Sequence, residues 1–221
     1  MVILITNTKG GVGKSTLAVH LLAWLDQRGQ SVVLLDTDEQ QTANDWAKTA
    51  LPEVPRQQET NPKKVVATLR QLRKEYDFVV CDTPGSYSLT TTMLPSLSDI
   101  AIIPLQPSDA DIDELSKALF HIQVAKQRGG NGAIEATLVL SLTAANDSRS
   151  TRLKAKLRTL GIPVAKQTVR RLNAIRDSAK NTVVFDSKRK TQRSAAQDFD
   201  KLFRELFRSS LKNKRRSVAN G

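Results

Sequence analysis

Lys9-Gly10-Gly11-Val12-Gly13-Lys14-Ser15-Thr16 follows a short apolar run and opens a helical pattern over residues 17–25. Strand, glycine-rich loop and helix, in that order, is the context in which such a stretch holds phosphate. Three glycines without Cβ atoms let the backbone curl and turn successive N–H groups inward. The positive end of the following helix adds to the field and completes an anion site. Lys14 is placed to reach the β- and γ-phosphates as a point charge, and the Ser15 hydroxyl to ligate Mg²⁺. The plain alternative, a glycine turn that carries basic residues, accounts for neither the strand before it nor the helix after it.

Outward from this loop, short β-branched runs alternate with helical patterns. Strands are expected over 2–7, 31–36, 78–82, 100–104 and 136–142, and helices over 15–28, 43–48, 62–75 and 111–128. Pro62 suits a first helical position, and Val65, Val66, Leu69 and Leu72 keep a 3.6-residue period. Near-continuous apolar strands separated by helices predict an α/β, doubly wound, mostly parallel sheet with helices on both faces. Gly129-Gly130-Asn131-Gly132 reads as a loop. Asp147-Ser148 can cap a helix over 149–160, with Leu153, Leu157 and Leu160 as its buried stripe. A last amphipathic helix places Phe199, Leu202, Phe203, Leu206 and Phe207 on one face. Residues 1–208 thus read as a single domain, and 209–221 as a basic, disordered tail.

Composition narrows the function classes. The 221 residues contain one cysteine, Cys81, inside an apolar strand pattern, so a disulfide framework and a cysteine-held metal cluster are both excluded. No apolar run reaches the length of a membrane span, and a cytoplasmic protein is expected. The net charge of +12 is lopsided: residues 1–110 hold 10 Lys+Arg against 12 Asp+Glu, and residues 111–221 hold 24 against 10. A −2 half joined to a +14 half points to a polyanionic partner for the second, with nucleic acid ahead of anionic membrane. Arg149, Arg152 and Lys156 fall on one helix face, with Arg170, Arg171 and the run Lys188-Arg189-Lys190 as further candidates. None of these lies in a base-reading motif, so contacts to phosphates are expected.

Ligands in open parallel sheets sit beyond the carboxyl ends of the strands. Two expected strands end there in acids, at Asp36-Thr37-Asp38 and at Asp82-Thr83-Pro84-Gly85. A lone strand-terminal aspartate is more often a cap or turn residue. Two of them beside a phosphate loop read instead as carboxylates for the water shell of Mg²⁺. His20 and His121 stand alone on helices and read as packing or surface residues, and Trp24 and Trp46 as anchors of helices on the sheet.

The loop departs from the ordinary G-x-x-x-x-G-K-[ST] pattern, with Thr8 in place of the first glycine and Lys9 as a second lysine. It resembles the deviant Walker A of the ParA/MinD family, K-G-G-x-G-K-[ST]. Asp36-Thr37-Asp38-Glu39-Gln40 is similar to that family's D-x-D-P-Q, and Asp82-Thr83-Pro84-Gly85 to its D-x-P-G. Pro104-Leu105-Gln106-Pro107-Ser108 resembles the segment flanking the adenine in small ParA proteins. The stretches Arg170-Arg171-Leu172 and Val183-Val184-Phe185-Asp186 resemble their C-terminal region. With no DNA-binding extension before the loop, the likeness is to the short, plasmid-partition subgroup. Glu39 departs from the pattern, standing where the family carries proline.

The resemblance implies a Mg²⁺-dependent ATPase that dimerises on ATP, binds DNA without sequence preference, segregates or positions a cargo (a plasmid by default, otherwise a chromosome or a protein organelle such as a carboxysome), and is released when a cargo-bound adaptor of ParB type or a functional equivalent stimulates hydrolysis. Residues Lys9, Gly10, Gly11, Val12, Gly13, Lys14, Ser15 and Thr16 would cradle the nucleotide, with Pro107 beside the base. Ser15, Asp36 and Asp82 would serve the metal. Lys14 and Asp38 would act in hydrolysis, Asp38 on the attacking water, and Lys9 would act across the dimer. A nucleoid-associated ATP state follows. A MinD-like membrane ATPase is the alternative, since the helix around Phe199 and Phe207 carries flanking basic residues. An iron protein of this family would need cluster cysteines, a tyrosine kinase a tyrosine cluster, and an amidoligase has no use for the basic half.

Overall fold

A computed structural model describes residues 1–127, 134–144, 147–159, 161, 163–178, 182–186 and 190–208. The glycine-rich stretch 129–132 and the basic tail 209–221 lie outside them. Seven strands form one sheet: β1 (Val2–Ile5), β2 (Val32–Asp36), β3 (Arg56–Gln58), β4 (Phe78–Asp82), β5 (Ile100–Leu105), β6 (Glu135–Thr143) and β7 (Val169–Arg170). Their order is β3-β2-β4-β1-β5-β6-β7, and every pairing is parallel. The chain winds to one side of β1 as far as β4, then crosses to the other side with β5. The reversal opens a crevice at the carboxyl end of β1, where the glycine loop begins.

Alternating side chains of the strands feed two opposite cores. On one face Ile3, Ile5, Val32, Leu34, Phe78 and Val80 meet α1 (Lys14–Asp26), α2 (Thr42–Ala50), α7 (Asn173–Ser178) and α8 (Lys190–Leu206). On the other, Val2, Leu4, Val33, Leu35, Val79 and Cys81 meet α3 (Pro62–Glu75). There too Ala101, Ile103, Leu138 and Leu140 meet α5 (Asp109–Gln127) and α6 (Ser148–Thr159). Helix α1 is buried on nearly every side from Leu17 to Leu25, because the sheet lies beneath it and α2 and α8 flank it.

The aromatic stripe of α8 belongs to this core. Phe199, Phe203 and Phe207 are fully buried, which takes about 1.5–3 kcal/mol of apolar transfer energy each and leaves the stripe unavailable to a membrane. Trp24 packs against Phe203 and Phe207, and its Nε1 donates to Asp200 Oδ1 at 2.9 Å. Trp46 Nε1 donates to the Thr182 carbonyl. Both tryptophans therefore fasten the C-terminal elements as much as they fasten helices to the sheet. Among the described residues no helix is long and apolar enough to cross a membrane.

Two strands and two short helices were not legible in the sequence. β3 (Arg-Gln-Gln) and β7 (Val-Arg) are short, polar edge strands, each paired on one side only, so neither carries the apolar run that marks a buried strand. α4 (Leu89–Met93) and α7 are too short to display a period.

Candidate active site

The glycine loop takes the shape its composition demands. Gly11 and Gly13 hold positive φ of 74° and 95°, which a side chain would strain, and Gly13 caps α1 in that conformation. Val12 anchors the loop, fully buried, and the Ser141 hydroxyl on β6 donates to its carbonyl at 2.7 Å. Gln106 Nε2, just past β5, donates to the Gly11 carbonyl at 3.0 Å. The Asn7 side chain ties both ends, donating to the Pro104 carbonyl and accepting from the Lys9 amide. Lys14 is buried, its Nζ on the Lys9 carbonyl at 2.9 Å. Burial lowers its pKa, while the charges of Asp82 and Asp38 raise it. Ser15 and Thr16 follow in the first turn of α1, both half-buried.

Opposite Lys14 stand three carboxylates. Asp36 and Asp82 are register partners at the ends of adjacent strands β2 and β4, both fully buried. Asp36 accepts from the amides of Asp38 and Asn44, each at 2.9 Å, yet burial still raises its pKa. Asp82 is different. Neither of its carboxylate oxygens completes a hydrogen bond. Burial, with Asp36 beside it, pushes its pKa up to about 7; the Ser15 hydroxyl and Lys14 ammonium pull the other way. Two buried, unsatisfied carboxylate oxygens beside a serine hydroxyl are the donor set of a hard divalent cation such as Mg²⁺, which keeps much of its water. Asp38, half-buried, caps its own turn through the Gln40 amide. The backbone beyond β4 closes over the loop: a Cβ on Gly85 would lie 2.8 Å from Gly10 Cα and 3.2 Å from Lys14 Nζ.

Comparison with known proteins finds relatives over nearly the whole chain. Residues 3–184 match the model of the CobQ/CobB/MinD/ParA nucleotide binding domain. The chain belongs to this family. The ParA/MinD resemblance of the sequence motifs is thereby established over most of the chain. Maintenance of carboxysome distribution protein A from Halothiobacillus neapolitanus is 30% identical over 212 residues, covering 93% of this chain and 95% of that protein. An ATP complex of a Cyanothece McdA variant superposes with a TM-score of 0.70 at 13% identity, covering 93% of this chain and 95% of that one. The Mg-ADP complex of the septum site-determining protein MinD from Pyrococcus horikoshii gives 0.68 at 20% identity, covering 93% and 95%. The fold is that of the family's ATP-binding members.

Other expected residues are distributed less simply in this ParA/MinD-family chain. Pro107 is half-buried in the turn after β5, beside the Gln106 that holds the loop. Arg149, Arg152 and Lys156 are exposed together on α6. Arg170 is not a free cation. Its guanidinium grips Asp198, with Nε to Oδ2 at 2.7 Å and Nη2 to Oδ1 at 2.9 Å, and also reaches Ser194 Oγ at 2.6 Å. Asp198 is only 4% exposed, so this pair fastens α8 to β7, and Arg170 leaves the set of DNA candidates. Arg171 is exposed just beyond it. Lys188 and Arg189 lie outside the described residues, and Lys190 begins α8. Since α6 and α8 pack on opposite faces of the sheet, the candidates on α6 and the start of α8 do not share one face.

Sequence reasoning missed the residues that shape the loop from behind. Gln106 was read only as part of a segment beside the base and Ser141 lies in no motif, and their hold on the loop appears only when β5 and then β6 line up beside β1. Leu142 has φ of 53° at a register shift in β6, a bulge that turns Ser141 and Thr143 toward the crevice end of the strand. Nothing in the sequence signals it.

Proposed function

We propose that this chain is a ParA-type positioning ATPase that dimerises on ATP, binds DNA without sequence preference, and moves a cargo with an adaptor that stimulates hydrolysis. The observation that carries the reading is the second lysine. Lys14 lies in the loop near Asp38 and Asp82, whose charges act on it. Lys9 adds a second side chain at the mouth of the loop, where another subunit's phosphates would come. Two relatives of nearly full length are carboxysome distribution proteins, which favours a protein organelle over a plasmid as cargo.

In this reading the amides from Gly10 to Thr16 orient the phosphates, and Lys14 screens the charge that grows on the transferred group. Mg²⁺, held by Ser15 and through water by Asp82 and Asp36, would supply charge neutralisation at the phosphate oxygens. The two unsatisfied oxygens of Asp82 would be its acceptors there. Asp38, at the edge of the crevice, orients the water that attacks in line, and Pro107 borders the base. Positioning and preorganised charge, not covalent chemistry, lower the barrier.

Light scattering tests the reading. An Asp38→Ala protein with Mg-ATP is expected at twice the monomer mass, and with ADP at the monomer mass. Lys9→Ala is expected to bind nucleotide yet stay monomeric, whereas Lys14→Ala loses nucleotide binding itself. A monomer at saturating ATP, or equal loss of nucleotide affinity in both lysine variants, defeats the proposal.

A further inference from the structure

A groove opens between α3, α4 and α5, on the side of the sheet away from α1. Val66, Tyr87, Met93, Leu97, Phe120 and Val124 line a cavity of about 480 Å³. Its aromatic edges are bare, with Tyr87 69% and Phe120 61% exposed, where burial would be expected for rings of this size. No acid lines it. Lys63 and Arg70 lie three before and four after Val66 on α3, hence on the same helix face; both are exposed. Lys64 is exposed next to them, and among the described residues none of the three forms an ion pair.

We propose that this groove is the docking site for an amphipathic segment of a partner protein, a helix with apolar residues on one face and acids along its border. The inference rests on the reading of the chain as a regulated ATPase and names where its regulator sits. An apolar cleft with a basic rim complements such a segment in shape and in charge. A second copy of this chain fits poorly, because a symmetric contact would bring two rims of Lys63, Lys64 and Arg70 together. A lipid surface is better met by a convex apolar ridge than by a cleft.

The groove also lies close to the phosphate site along the chain. Gly85 lies in backbone contact with Gly10 and against Lys14 Nζ. Two residues on, the Tyr87 ring stands 5.4 Å from the His121 ring in the groove wall. Residues 85–87 thus border both the phosphate loop and the groove. A segment seated beside Tyr87 would therefore press on the same short stretch that touches the phosphate loop, where a preference for one position of that stretch would regulate turnover.

The probe is a labelled synthetic helical peptide with leucines at i, i+3, i+4 and i+7 and glutamates elsewhere, against the same peptide with lysines for glutamates. The full chain with Mg-ATP is expected to bind the acidic peptide about tenfold more tightly, as a few exposed charge pairs provide. Phe120→Asp should abolish that binding, and Lys63→Glu with Arg70→Glu should reverse the preference. Both variants change exposed side chains and should keep ATP-dependent dimerisation and duplex binding. Equal affinity for the two peptides, or binding untouched by Phe120→Asp, overturns the proposal. So does loss of dimerisation in Phe120→Asp, which would make the groove a contact between copies. Phe120-dependent binding to phosphatidylglycerol vesicles in place of peptide overturns it in favour of a membrane. A wild-type protein that binds the peptide but never dimerises on ATP would sink the ATPase reading and leave the groove standing.

Discussion

Asp82 and Gly85 show how differently single residues report on one site. Asp82 closes β4 and was legible as a strand-terminal acid beside a phosphate loop; its two unsatisfied oxygens then say what the acid lacks. Gly85 was legible only as part of a motif. Its meaning is steric, because the chain beyond β4 lies directly on Gly10, and any Cβ would meet backbone at 2.8 Å. Gly85→Ala is therefore expected to displace residues 84–86, costing about 1–3 kcal/mol as overpacked sites do. For a chain of this size the thermal midpoint should fall by roughly 2–4 °C per kcal/mol. ATP turnover should fall by more than about tenfold, since one kilocalorie and a half of mispositioning is already that much. A variant with unchanged midpoint and turnover would show that the segment has room, and that its contact with the loop is incidental.

At the scale of elements, α1 and α8 are joined through His20, a residue that the sequence left as simple packing. It is fully buried, stacked on Phe199 at 4.2 Å and edge-on to Trp46 at 5.3 Å. Nδ1 lies 2.8 Å from the Thr16 carbonyl and so must carry the proton, while Nε2 accepts from the Val184 amide. Burial lowers its pKa to about 4, against 6.5 in the unfolded chain. The unfolded state then takes up a proton as pH falls through 6.5 and the folded state does not, until about pH 4. Stability from this residue is complete above pH 6.5 and declines below it, by about 3 kcal/mol at pH 4. Asp82 acts with the opposite sign, because its raised pKa favours the folded apo protein as pH drops below about 7. Urea midpoints of wild type and His20→Gln, compared from pH 7 to pH 4.5, separate the two. The variant is less stable at pH 7, and the gap between them should narrow steadily toward acid. A constant gap would mean that His20 titrates normally. Most elements were readable before the structure: β4 and α3 fall on the residues expected, because one is a continuous apolar run and the other keeps its period. β3 and β7 were invisible because an edge strand needs no apolar side chains, only a neighbour with free backbone groups.

At the scale of the whole molecule, charge asymmetry was visible in the sequence but its layout was not. The second half carries the excess of basic residues, yet part of it is matched by acids of the same chain: Arg170 on the nearly buried Asp198, and Arg204 on Asp200 at the surface. Of the candidate contacts, the face of α6, with Arg149, Arg152 and Lys156, and Arg171 at the sheet edge point outward, and Arg158, Lys166, Arg193, Lys201 and Arg208 are exposed as well. Contacts from such a surface go to phosphates, so binding to a random duplex should ignore sequence. It should weaken by roughly three to five decades between 50 and 200 mM salt if six to ten phosphates are engaged. It should also need ATP, because a dimer carries two such surfaces and makes the second engagement intramolecular. Replacing Arg149, Arg152 and Lys156 by alanine should lower the slope of log K against log salt by about 0.9 for each contact removed. Arg170→Ala should leave that slope alone and instead destabilise the fold, since it abandons the nearly buried Asp198. The pair of variants decides the layout. An unchanged slope in the triple variant, or a reduced one in Arg170→Ala at full stability, would move the duplex away from α6 and toward the β7 edge.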